Sequence, residues 1–190
     1  MEREKQDTRE WYDLLGTFVC VTVAAVLVFT FLLRIERVDG PSMRETLQDG
    51  DVLLAVNRSL AGNLRAGDIV IVRKEHFEDG KPIVKRVIAT QGQTVDIDFG
   101  EGTVYVDGTA LEEDYTREPT WLDEGLAFPV TVPENCVFLL GDNRNNSKDS
   151  RYPDLGPVDV RSIIGKAVIL AFPGKTEQTQ RRELARIGLL

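Results

Sequence analysis

The sequence predicts a mainly β protein, an antiparallel barrel-like or sandwich domain carried behind one N-terminal transmembrane helix. Two observations predict it. Positions 14–33 form a run of 20 residues without a charge. Beyond that run, seven Val- and Ile-rich stretches of 4–7 residues are separated by turn formers, with little helical periodicity between them. Short strands without intervening helices build antiparallel sheets that close or stack, whereas parallel α/β folds need crossover helices. At 190 residues the chain accommodates one domain plus an appendage.

The first element is the apolar run. At ~1.5 Å per residue, ~20 residues span roughly 30 Å, the thickness of a bilayer's hydrocarbon core. A buried helix of a soluble domain would keep a polar face, and this run has none. A cleavable leader would end in small residues, but Leu32-Leu33-Arg34-Ile35-Glu36 follows, so the segment reads as an anchor that is retained. Trp11 and Tyr12 precede it, where interfacial aromatics sit. Three basic residues lie before the run (Arg3, Lys5, Arg9) and three soon after it (Arg34, Arg37, Arg44), so the positive-inside rule leaves its orientation open.

The organisation read from the chain is therefore 1–13 as an N-terminal segment, 14–33 as the anchor, 34–174 as the β-rich domain and 175–190 as a tail. Expected strands cover 52–56, 68–72, 83–89, 94–97, 103–106, 136–140 and 167–172. Residues 99–102 read as a hairpin connection and Asp107-Gly108 as a second turn. Residues 111–130 are acidic, carry Pro119 and Pro129, and read as a surface excursion. Residues 176–190 read either as a short amphipathic helix, with Leu184, Ile187 and Leu190 on one side and Arg181, Arg182 and Arg186 elsewhere, that could touch the membrane, or as a frayed tail. The formal net charge is −8, all of it accounted for by residues 34–174, and a domain this acidic is unsuited to coating a phosphate backbone. No nucleic-acid partner is expected. Cys20 and Cys136 are placed too differently to pair, and the single His76 rules out a two-histidine metal motif.

Three stretches carry candidate chemistry. Ser42, in Gly40-Pro41-Ser42-Met43, is by composition a turn residue, but eight positions separate it from Arg34. At ~3.3 Å each, its hydroxyl lies at most roughly 26 Å from the end of the anchor. A nucleophilic serine needs a base. His76 lies in a polar stretch and reads as solvated. Among seven lysines, Lys85 has the apolar surroundings that would favour a neutral amine, in Ile83-Val84-Lys85-Arg86-Val87-Ile88. On a strand it shares a face with Ile83 and Val87, while Arg86 points the other way. The alternative is an edge-strand lysine that guards against aggregation. The third stretch is the loop 141–151. An EF-hand frame starting at Asp142 puts Arg144 where an oxygen ligand is required. The loop could be held by Asp149 with Arg151 or Arg144, and Ser147 supplies a hydroxyl able to hold a lysine amine.

Together these stretches resemble the bacterial type I signal peptidases, serine proteases that use a Ser-Lys dyad. The resemblance covers roughly residues 10–174 in one order: the anchor, G-P-S-M-x-x-T-L at 40–47 with Gly50-Asp51, A-G-D-I-V-I-V at 66–72, K-R-V-I at 85–88, G-D-N-R-x-N-S-x-D-S-R at 141–151 and I-I-G-K-A at 163–167. It is closer to the compact single-anchor Gram-positive forms. The resemblance implies a β-rich domain on the outer face of the cytoplasmic membrane, with Ser42 as nucleophile and Lys85 as general base. It further implies that Ser147 hydrogen-bonds the lysine, that Asp149 and Arg151 form a bracing ion pair, and that Met43 contributes to the substrate-side wall. Gly40 occupies the place where some members supply an oxyanion-hole hydroxyl, which leaves backbone N–H groups, chiefly that of Ser42, to do so. Glu45 stands where the family usually has proline, and residues 89–93 replace the usual G-L-P-G-D. The implied partners are the lipid bilayer and exported precursors with small side chains before the cleavage site, and no metal or cofactor is implied. The competing readings are a self-cleaving Ser-Lys repressor, which would lack an anchor, and a tethered β domain that only binds partners.

Overall fold

The computed structural model describes residues 2–176 and 179–190, with side chains described from Trp11 onward. Helix α1 (Glu2–Leu27) runs through a wider π turn at Val28–Leu32 directly into strand β1 (Leu33–Arg37). The stretch Trp11–Leu32 is long and apolar enough to cross a membrane, and among the described residues nothing buries it. Strand β1 was not foreseen: its Leu-Arg-Ile-Glu-Arg sequence reads as the polar flank of the apolar run, and only its pairing partner makes it a strand.

The remaining strands are β2 (Val52–Asn57), β3 (Ile69–Val72), β4 (Ile83–Thr90), β5 (Thr94–Asp98), β6 (Thr103–Val106), β7 (Thr109–Ala110), β8 (Val130–Thr131), β9 (Cys136–Leu140), β10 (Val158–Asp159), β11 (Ile163–Phe172) and β12 (Gly188–Leu189). They form two antiparallel sheets. The larger runs β1-β2-β11-β3-β4-β9-β10, with β12 paired to β11, and the smaller runs β7-β6-β5-β8. All seven expected strands are present, with β11 beginning four residues before the expected 167. The chain is mainly β, as its sequence predicts.

Burial follows position in the sheets. Strands β3 and β9 are covered along their length and read as unbroken apolar runs, whereas β5 alternates inward Val95 and Ile97 with outward Asp96 and Asp98. The β6–β7 hairpin turns at Asp107 and Gly108, whose φ values of +53° and +76° are those of a type I′ turn. A core of Ile88, Val95, Ile97, Val104, Phe138 and Leu140 joins the two sheets. A second, containing Val38, Met43, Leu47, Leu53, Ile71 and Leu170, lies beneath the segment between β1 and β2.

Two expectations are corrected. The amphipathic helix over 176–190 does not form; its positions 177 and 178 lie outside the described residues. Instead a single 3-10 turn at Leu184–Arg186 leads into β12, which pairs with Ile169 and Leu170 of β11, and Leu190 N donates to Val168 O at 3.1 Å. A helix this short is marginal in water, whereas the strand gains a ladder on an existing sheet. Residues 111–130 are more than a surface excursion. Thr120 is fully buried, and the side chains of Pro119 and Trp121 press so closely on Gly102 that a Cβ there would overlap them.

Leu53, fully buried in the core beneath the β1–β2 segment, provides a direct check of this packing. Replacing Leu53 with Ala is expected to cost about 2–5 kcal/mol, read as a lower urea midpoint at unchanged slope.

Candidate active site

Lys85 lies on β4, which is flanked by β3 and β9 and so is an interior strand. The edge-lysine alternative does not hold. Paired with Val70 of β3, Lys85 is only 3% exposed. Its Nζ lies 2.7 Å from Ser42 Oγ and donates to Val84 O at 3.1 Å. Desolvation by burial is the main cause that lowers its pKa from 10.5 to about 8, opposed by the negative charges of Asp149, Glu78 and Asp142.

Ser42 sits on the segment between β1 and β2, whose ends are tied by Val38 N to Asp51 O at 2.8 Å and Gly50 N to Val38 O at 2.9 Å. A turn of backbone hydrogen bonds, Arg44 N to Pro41 O and Leu47 N to Met43 O, carries the serine. The fully buried side chains of Met43 and Leu47 pin that turn into the core. From the opposite side, Asn143 N donates to Ser42 O at 3.0 Å and Asn143 Nδ2 to Pro41 O at 3.1 Å. Ser42 and Lys85 open onto a cleft of about 320 Å³ walled by Gly40, Pro41, Ile83 and Val84. Glu78 and Lys148 meet on its rim in an ion pair of 2.6 Å.

The loop 141–151 is held by buried charge pairs. Arg151 and Asp149 are both fully buried and bonded through two atoms each, Nε to Oδ1 at 2.8 Å and Nη2 to Oδ2 at 2.9 Å. Asp149 Oδ2 also accepts from Gly141 N at 3.0 Å. Arg144 pairs instead with Glu113 of the acidic segment, Nη1 to Oε2 at 2.6 Å.

Two sequence-based roles change, those of Ser147 and Met43. Ser147 does not hydrogen-bond Lys85: its Oγ is buried with no hydrogen-bond partner among the described residues, and its side chain packs against Gly141, where a Cβ would overlap it. Met43 forms no wall of the cleft; it is fully buried under the serine turn. Gly40, at φ +88°, donates its N–H to Asp49 Oδ1 at 2.9 Å, so that donor is occupied. The Ser42 N–H has no acceptor among the described residues.

Other residues at the site were not singled out from sequence. Arg86 grips Asp142 with Nε to Oδ1 at 2.8 Å and Nη2 to Oδ2 at 2.7 Å, and its guanidinium stacks 4.1 Å from the centroid of the Tyr115 ring. Thr46 Oγ1 donates to the same Asp142 at 2.5 Å. The strand pattern does turn Arg86 away from Lys85, but nothing local signals a partner 56 positions along the chain.

Comparisons with known proteins identify the relatives of this chain. The family described as signal peptidase, peptidase S26, matches residues 10–172. The probable signal peptidase I-2 of Synechocystis sp. is 31% identical over 198 aligned positions, covering all of this chain and 81% of its own. Signal peptidase I T of Bacillus subtilis is 34% identical over 182 positions, 89% of each chain. A crystal structure of a signal peptidase I from Enterococcus faecalis V583 is 31% identical and covers 54% of this chain and 95% of that one, with a TM-score of 0.44. The class is that of the serine endopeptidases. The chain belongs to the signal peptidase family, peptidase S26.

Two substitutions separate the buried pair from the buried hydroxyl. Asp149→Ala leaves Arg151 charged and unpaired in the interior and is expected to cost about 3–5 kcal/mol in urea denaturation. Ser147→Ala removes a hydroxyl that makes no hydrogen bond, and its unfolding midpoint is expected to equal or exceed that of the parent.

Proposed function

We propose that this protein removes signal peptides from exported precursors by acyl transfer, with Ser42 as nucleophile and Lys85 as general base, while the segment Trp11–Leu32 holds it in the cytoplasmic membrane with its β domain on the outer face. The observation that carries this reading is the 2.7 Å approach of a buried, pKa-lowered amine to a serine hydroxyl. The neutral amine accepts the Ser42 proton as Oγ attacks the carbonyl of the scissile bond. The Ser42 N–H, which has no acceptor among the described residues, is available to the developing oxyanion. The protonated lysine then gives its proton to the leaving amine, and the peptide amine departs as the acyl-enzyme forms. Water, deprotonated by the same lysine, releases the acyl group and restores Ser42.

Small side chains before the cut are what the family resemblance implies, and the cleft beside Ser42 is where they would sit. A precursor whose signal segment lies in the bilayer would present its cleavage site to an enzyme confined to the same surface, which raises the effective concentration of substrate without further contacts. The apolar helix, uncovered by the domain and continuous with β1, supports the anchored reading. It also argues against a self-cleaving repressor, which would need no such segment.

The test is incubation of the detergent-solubilised protein with a precursor bearing small residues at its cleavage site, with products read by mass spectrometry. Ser42→Ala is expected to abolish cleavage, and Lys85→Ala to lower the single-turnover rate by at least about 10²-fold, both with the fold retained. Wild-type turnover in either variant overturns the assignment.

The pH dependence has a definite sign. Below its pKa the lysine is an ammonium and cannot accept a proton, so the single-turnover rate rises with pH through about 8 and then levels. The negative charge of Glu78 favours the ammonium form, so Glu78→Gln is expected to move the midpoint to lower pH than in the parent. A midpoint that rises or stays unchanged in this variant contradicts the electrostatic account.

A further inference from the structure

The polar contacts that hold the Ser42 segment extend past residue 172, where the family match ends. Asp51, fully buried, closes this segment at its far end. Its carboxylate accepts from Gln48 N at 2.8 Å, from Gly174 N at 2.6 Å, and from Arg186 through Nη2 at 2.7 Å and Nη1 at 3.1 Å. Arg186 Nη2 also donates to Thr46 O at 3.2 Å. Thr46 in turn donates through Oγ1 to Asp142, the carboxylate gripped by Arg86 beside Lys85. A continuous set of hydrogen bonds therefore links Arg186 to the turn that carries Ser42 and to the strand that carries Lys85.

Two further observations show that this contact is built in. Gly174 lies so close to the backbone of Asp49 and Asp51 that a Cβ there would overlap both. Immediately after Arg186, β12 pairs with β11, which fixes the arginine from its other side.

We propose that Arg186 is a positioning residue for catalysis: it clamps the segment 42–51 so that Ser42 Oγ stays within reach of Lys85 Nζ. The proposal rests on the Ser42–Lys85 reading above. Its physical basis is that turnover tolerates little error in the placement of reacting atoms, and a displacement of ~1 Å can cost about 10²-fold. Arg186 suits the task because its planar fork bonds both carboxylate oxygens and a backbone carbonyl together, whereas a lysine supplies a single ammonium group. Arg186 reaches the site only through hydrogen bonds to the Ser42 segment, so the proposed effect is geometric.

The experiment uses the full chain in detergent and compares Arg186→Ala, Arg186→Lys and a Ser42→Ala control. It measures kcat and KM on a small-residue precursor, the pH midpoint of the single-turnover rate, and the folded fraction by near-UV circular dichroism. Arg186→Ala is expected to lose about 10–100-fold in kcat per folded molecule, with KM within about twofold and the pH midpoint unchanged. Free guanidinium at millimolar concentration is expected to restore part of the rate, and Arg186→Lys to fall between the alanine variant and the parent. Parental kcat in Arg186→Ala, or a loss that only tracks the folded fraction and is not restored by guanidinium, overturns the proposal. If the alanine variant does not fold, parental kcat in Arg186→Lys overturns it. Activity in the Ser42→Ala control would instead refute the serine reading, whatever Arg186 does.

Discussion

The site depends on the exclusion of water from one amine. A lysine in solvent is an ammonium at neutral pH and a useless base. The fall of the Lys85 pKa from 10.5 to about 8 corresponds to roughly 3 kcal/mol in favour of the neutral form. Three carboxylates oppose it, yet desolvation prevails. The nearest of them in effect, Asp149, is bonded to Arg151, and Asp142 is bonded to Arg86, so each reaches Lys85 as part of a pair rather than as a bare charge. Arg151 itself acts on Lys85 in the direction of neutrality. The buried Asp149–Arg151 pair therefore does two things: it fixes the loop 141–151, and its arginine partly offsets a charge that favours the protonated lysine.

The fold delivers both partners to this dry position by different means. Lys85 gains its burial from an interior place in the larger sheet, with β3 on one side and β9 on the other. Ser42 stands on a non-repetitive segment, which has no ladder to hold it. Its position is set by apolar anchors below, Met43 and Leu47, and by polar ties from Asn143, Asp142 and the C-terminal segment around it. Rigid strand and braced turn meet at the cleft. The acidic segment 111–130 contributes from outside the sheets, since Glu113 satisfies the guanidinium of Arg144 and Tyr115 covers that of Arg86.

Much of this was legible in the sequence because it is local. Strands such as β3 and β9 are almost wholly apolar runs bounded by turn residues, and the apolar helix is a composition that no charge interrupts. Lys85 stood out from six other lysines through its neighbours alone. What was not legible is set by contacts distant in sequence. β1 and β12 exist because β2 and β11 offer them ladders. The family resemblance implies a wall role for Met43, but its side chain packs beneath the turn, which only contacts distant in sequence decide. Ser147 has the right chemistry, but its hydroxyl lies against Gly141 and makes no hydrogen bond to Lys85, a placement that no local pattern reports. Arg186 sits in a segment whose amphipathic pattern suggested a helix, and its carboxylate partner lies 135 positions earlier.

The central claim concerns the charge of one nitrogen, and it can be measured without reference to turnover. A heteronuclear NMR titration of the Lys85 side chain, assigned by its disappearance in Lys85→Ala, reports the ionisation of that amine directly. The account predicts a midpoint of about 8, well separated from the exposed lysines. A midpoint at the ordinary value of 10.5 would show that the amine is solvated and protonated at neutral pH, and would contradict the account.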